Sequence, residues 1–144
     1  MNASHAHLET KRLCGLPAKR LYQLSVRSNV STLFRALIFA IEDCRFLARC
    51  SLEVEDSGEG RVHKIIKLIK ECGLGIHDIS RIELNPEGLP RFNMPYELGL
   101  FIGCTVFGGG PHKSKKTLIL DRERHRYAKF ISDIAGQDIQ DHAN

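Results

Sequence analysis

The sequence predicts an α/β domain with a parallel sheet of four to five strands and helices on both faces. Three observations lead there. Short apolar or alternating segments trade places with amphipathic ones in the order βαβαβαβα, and the connections between them are short. KTLILD (Lys116–Asp121) is a continuous apolar run of the kind buried on both sides in a parallel sheet. RVHKIIKLIKECG repeats its apolar residues at a period that fits only a helix.

In chain order, residues 1–20 lack periodicity and read as a mobile N-terminal arm, leaving 21–144 as one domain. LYQLSV (Leu21–Val26) alternates as a short strand does. SNVSTLFRALIFAIEDCRF follows, with Asn29 or Ser31 as cap and apolar residues around nearly its whole circumference, so this helix is expected to be buried on more than one side. ARCSLEV (Ala48–Val54) alternates again, and EDSGEG is a polar turn. The helix after it shows Val62, Ile65, Ile66, Ile69 and Cys72 on one face, lysines on the other, and Gly73 as its stop. LGIHDI (Leu74–Ile79) is the third strand. PYELGLFIGCTVFG then places Pro95 at a natural first helical position, and KTLILD is the fourth strand. HRYAKFISDIAG closes the pattern as a helix with Tyr127, Phe130, Ile131 and Ile134 on one face. Only four strands are strong, so a terminal strand or helix is expected to be missing or supplied by another subunit.

Composition narrows the function classes. The chain has 144 residues, 42% of them hydrophobic and 26% charged, with a formal net charge of +4. That is an ordinary globular composition. No run approaches the roughly 18 apolar residues of a membrane span, and the N-terminus lacks an apolar core, so cytoplasmic residence without membrane contact is expected. Five cysteines at irregular spacing, without a CxxC pair, argue against disulfides and zinc and suggest mostly buried free thiols. The seven histidines form no HxxxH or HExxH pair, and no metal site is proposed. Phosphate-loop and dinucleotide fingerprints are absent. The GGGPHKSKK loop reads as a solvated connection. The scattered basic residues lack interleaved aromatics, which tells against nucleic acid.

Ligands on such sheets bind outside the carboxyl ends of the strands. Asp56 and Glu59 follow the second strand, Asp78 ends the third, and Glu97 stands near the start of the next helix. One carboxylate at a strand end can hold ribose hydroxyls while another attacks or supports an anomeric carbon. Purely structural roles compete. Glu97, three residues after a cap at Met94, would complete a capping box worth about 1 kcal/mol. Asp78 could cap its own turn and pair with Arg81.

GIHDIS followed by PRFNMPYELGLFIG resembles the nucleoside 2-deoxyribosyltransferase-like and TIR-like superfamily, in which a strand ending in aspartate leads to a helix bearing E-L-G. From about Leu33 to His142 the chain looks like a narrower group of uncharacterised bacterial TIR-like or nucleotide-binding proteins. The resemblance implies a flavodoxin-like (Rossmannoid) sheet of about five strands. It also implies action on N-glycosidic bonds: NAD cleavage between nicotinamide and ribose, or base exchange on nucleosides. Carried over by motif, Glu97 would be catalytic, Asp78 a ribose or base contact, and Asn93 a neighbour on the substrate loop. Arg81 and Arg91 would be phosphate contacts. NAD or another nucleotide is then a substrate, and no cofactor is implied. The competing expectation is a non-catalytic nucleotide-sensing or protein-interaction domain that signals as a homo-oligomer. One departure concerns the first strand, LYQLSVRSNV, which lacks the Cys-Pro-Phe-Asp-like continuation of similar proteins.

Overall fold

The computed structural model describes residues 21–25, 31–51, 60–82 and 84–142. Five strands form one sheet: β1 (Leu21–Ser25), β2 (Leu47–Cys50), β3 (Leu74–Asp78), β4 (Lys116–Asp121) and β5 (Ile139–Asp141). All neighbours are parallel and the order is β2-β1-β3-β4-β5. Among the described residues there are three α-helices, α1 (Ser31–Asp43), α2 (Arg61–Glu71) and α3 (Asn93–Phe107). This is a three-layer, flavodoxin-like α/β fold.

The two faces of the sheet follow from alternation along each strand. Leu24, Ile76 and Leu120 point to one side and pack with Ile41 of α1, while Phe34, Leu37 and Ile38 of the same helix close over them. On the opposite side Ile119 and Ile79 meet Leu98 of α3, and Phe101 packs with Ile65 and Ile69 of α2. Gly75 makes that second packing close. A Cβ there would lie 2.7 Å from the His77 ring and 2.8 Å from Phe101, so only a bare backbone lets α3 approach.

Several expectations need correction. α1 is covered on one side only, and Phe39 is 73% exposed, because a single helix lies on that face among the described residues. It ends where Arg45 adopts a left-handed conformation (φ 61°) and the Phe46 N–H donates to Ile41 O, a Schellman-like stop without glycine. In α2 the buried face is Ile65, Leu68, Ile69 and Cys72, whereas Val62 is exposed. The stop of α2 is also different. Cys72 is extended (φ −85°, ψ 129°), since β3 begins two residues later and requires extended backbone at once.

The last expected helix is replaced by two short 3₁₀ turns, Arg126–Lys129 and Ser132–Ile134. Between them Phe130 (φ −139°) and Ile131 (φ −148°) leave helical space, which turns the chain back in time to lay β5 beside β4. The apolar residues keep their destination: Ile134 is buried, and Tyr127, Phe130 and Ile131 pack beside it. The fifth strand therefore comes from IQD of this chain itself. The GGGPHKSKK segment contains a 3₁₀ turn, Gly110–Ser114, and leads into β4; Lys113 and Lys116 are exposed, but Lys115 is buried. Its Nζ donates to the carbonyls of Ile69 and Cys72 at the end of α2 and lies 5.4 Å from the Phe101 ring centre. It thereby serves helix carbonyls that α2 cannot satisfy internally. Burial lowers its pKa. Of the cysteines described, none is in a disulfide; Cys72 is buried, Cys50 and Cys104 are half-buried, and Cys44 is exposed.

Candidate functional site

The carboxyl ends of the strands carry two groups of polar residues. The first lies where α2 and α3 begin. Arg61 is the first residue of α2, after Gly60 as cap, and α3 begins at Asn93 after Phe92. Arg61, Arg81, Arg91, Asn93 and Met94 line a surface depression of about 180 Å³. Behind it stands Glu97. Its side chain is only 5% exposed, and Oε1 lies 3.9 Å from Arg61 Nη2.

This arrangement removes the capping-box reading of Glu97. The helix starts two residues earlier than expected, so Pro95 is its third residue and Glu97 its fifth. Pro95 costs nothing there, because the first turn has no intrahelical acceptor for its missing N–H. The first i→i−4 bond runs from Tyr96 N–H to Phe92 O. Glu97 thus lies one turn inside, on the face that also buries Leu98 and Phe101. Its carboxylate has Arg61, the first residue of the neighbouring helix, within ion-pair distance.

The second group surrounds the ends of β3, β4 and β5. Asp78 is buried; Oδ1 accepts the Ser80 N–H at 2.9 Å and lies 3.5 Å from His142 Nε2. It caps its own turn as a strand-end aspartate can, but the side chain beside it is the His142 imidazole, not Arg81. Asp121 is fully buried, and its Oδ1 accepts from Arg126 Nε at 2.9 Å, from Arg126 Nη2 at 2.5 Å and from the Arg122 N–H at 2.7 Å. Arg126 Nη2 also reaches the carbonyls of Ile79 and Ser80 at 3.1 and 2.8 Å. One guanidinium therefore ties the end of β4 to the exit of β3, and its face covers the Phe130 ring at 5.1 Å. The sequence reading missed this clamp. An acid ending a buried strand with an arginine five residues later is the signal that could have found it.

Beneath both groups runs a buried polar row. Gln23, Gly75 and Thr117 are partners across β1, β3 and β4, and His77 lies one pleat further along β3 with its ring over Gly75. Gln23 Oε1, Thr117 Oγ1 and both His77 ring nitrogens are buried without a hydrogen-bond partner, as is Asp121 Oδ2. His77 packs edge-on against Phe101, with ring centres 5.1 Å apart. Burial pushes its pKa down to about 3, since nothing at this depth compensates a charged imidazolium.

Of the residues singled out in the sequence, Glu97, Asn93, Arg81 and Arg91 come together around the depression. Asp78 sits at its expected strand end but faces β5. Asp56 lies outside the described residues, as do Val26, Val54 and Glu59. Arg61 was not anticipated. No group of acids, cysteines and histidines fit to hold a metal occurs among the described residues, and no described helix is long and apolar enough to cross a membrane. Compared with protein families and with curated proteins, the chain matches none. The fold accordingly gives its class, a flavodoxin-like α/β domain, and an arginine-lined depression lies at the carboxyl edge of its sheet.

Proposed function

We propose that the chain is a nucleotide-binding domain acting on N-glycosidic bonds, by NAD glycohydrolysis or nucleoside base exchange, with Glu97 as the catalytic carboxylate. The observation that carries this reading is the placing of Glu97: buried, one turn inside α3, and 3.9 Å from an arginine that lines the depression. A carboxylate held out of water stabilises developing positive charge more strongly than a solvated one. As the bond from C1′ to the base breaks, its electron pair leaves with the base. Glu97 supports the oxocarbenium-like sugar or forms an ester with it, which water or a second base then displaces. Asn93, in the lining of the depression, is placed to orient the sugar, whereas Asp78, buried against His142, is not part of that lining.

The test is incubation with NAD and with nucleosides, followed by chromatography for free base. The wild type releases base and Glu97→Gln does not. Release that survives the substitution rules the assignment out.

A second reading, a nucleotide sensor that signals through oligomerisation of this chain, draws on the exposed Leu84, Leu89, Phe92 and Tyr96. Binding without base release, with a ligand-dependent rise in mass by light scattering, would favour it.

A further inference from the structure

We infer that the depression between the starts of α2 and α3 is an oxyanion subsite that selects a phosphate-bearing ligand, with Arg61, Arg81 and Arg91 meeting its charge. This deepens the proposed function and rests on that reading only in taking the ligand to be a nucleotide. The subsite itself stands on four observations.

The first is convergence. The three guanidinium groups come from separate segments, the start of α2, the exit of β3 and the approach to α3, yet line one hollow. Each offers five donors in a planar fork that suits phosphate oxygens. The second is charge balance. Arg81 and Arg91 form no ion pair among the described residues, and the 3.9 Å separation of Arg61 from Glu97 is too long for a hydrogen bond, which leaves its donors available to a ligand.

The third is the pair of helix starts. Neither cap, Gly60 or Phe92, makes a side-chain hydrogen bond, and neither first turn holds an acid. The positive ends of two helices therefore add to the arginines at the hollow, with the Glu97 carboxylate beside Arg61 as a partial offset. The fourth is size. At about 180 Å³ the hollow is smaller than the roughly 300–1,000 Å³ that engulfs a whole small ligand, so it takes one end of the molecule. Phe92 and Tyr96, 57% and 51% exposed, stand beside Asn93 and offer ring surface to a part lying outside.

Glu97 and Arg61 then divide the work. Arg61 holds the phosphate at the rim while its other side neighbours the carboxylate, so ligand charge and Glu97 are read by one guanidinium.

The test is calorimetry on the full chain with adenosine 5′-monophosphate, ribose 5-phosphate, inorganic phosphate and adenosine, at low and high salt. The phosphate esters bind, adenosine binds at least about tenfold more weakly, and added salt weakens the esters alone. The double variant Arg81→Ala/Arg91→Ala weakens the monophosphate toward the affinity of adenosine, with Arg61 retaining part of the difference, and does not lower Tm, both side chains being exposed. Equal binding of adenosine and its monophosphate, unchanged affinity in the double variant, or no ester binding at millimolar concentration overturns the inference. The two readings fail separately. Phosphate discrimination without base release leaves the subsite standing and removes the glycosidic activity; base release without discrimination does the reverse.

Discussion

Acid should destabilise this protein through one side chain, His77. Its imidazole is fully buried against Phe101 and over Gly75, with neither ring nitrogen hydrogen-bonded, and burial pushes its pKa to about 3 from an ordinary 6.5. Between those values the unfolded chain binds a proton that the native state refuses, so stability rises with pH across the window and falls as pH drops from 6.5 toward 3. At about 1.4 kcal/mol per unit, the loss reaches about 2 kcal/mol at pH 5 and about 3 kcal/mol at pH 4. Carboxylates also lose stability in acid, so the informative quantity is a difference between proteins. Urea unfolding of the wild type and of His77→Leu at pH 7, 5 and 4 isolates it. At pH 7 the variant is as stable or more so, because two buried nitrogens without partners have been removed. The gap should then widen in the variant's favour by the amounts above. Parallel pH profiles for the two proteins would refute the account of His77 as a neutral, unpaired core group.

Further outcomes follow from packing and from the strand-end clamp. Gly75→Ala forces a methyl group onto His77 and Phe101, neither of which can move outward, and should cost about 1–3 kcal/mol in chemical unfolding; a loss below experimental error would contradict the close approach. Arg126→Ala leaves Asp121 buried without its guanidinium and should cost about 3–5 kcal/mol, whereas an unaffected midpoint would mean the clamp is idle.

The legibility of the fold in the sequence varies by element for physical reasons. β4 was read at its exact bounds because its buried strand is a nearly continuous apolar run, and α2 was read as a helix because one solvated face imposes a clear period, though it stops at Glu71 rather than at Gly73. HRYAKFISDIAG misled. Its apolar spacing suits a helix, yet the same residues fill the same space from 3₁₀ turns, and the local pattern could not show that β5 must return beside β4. Pro95 misled by two residues, since proline is tolerated throughout the first turn. For the candidate site, strand-end logic found Asp78 and the E-L-G signal found Glu97, but Arg61 has no local mark that separates it from the solvated lysines of α2. Only the packing of α2 against α3 brings it to Glu97. The Arg126 clamp was hidden likewise, being an interaction across strand ends.

The central claim is that Glu97 acts on the glycosidic bond rather than merely filling the start of a helix. Single-turnover base release at saturating NAD, where binding no longer limits the rate, tests it most directly. The account predicts a loss of at least about a hundredfold for Glu97→Gln in a variant that still binds the nucleotide and keeps its fold. Equal rates for the two proteins, or no release by either, would contradict it.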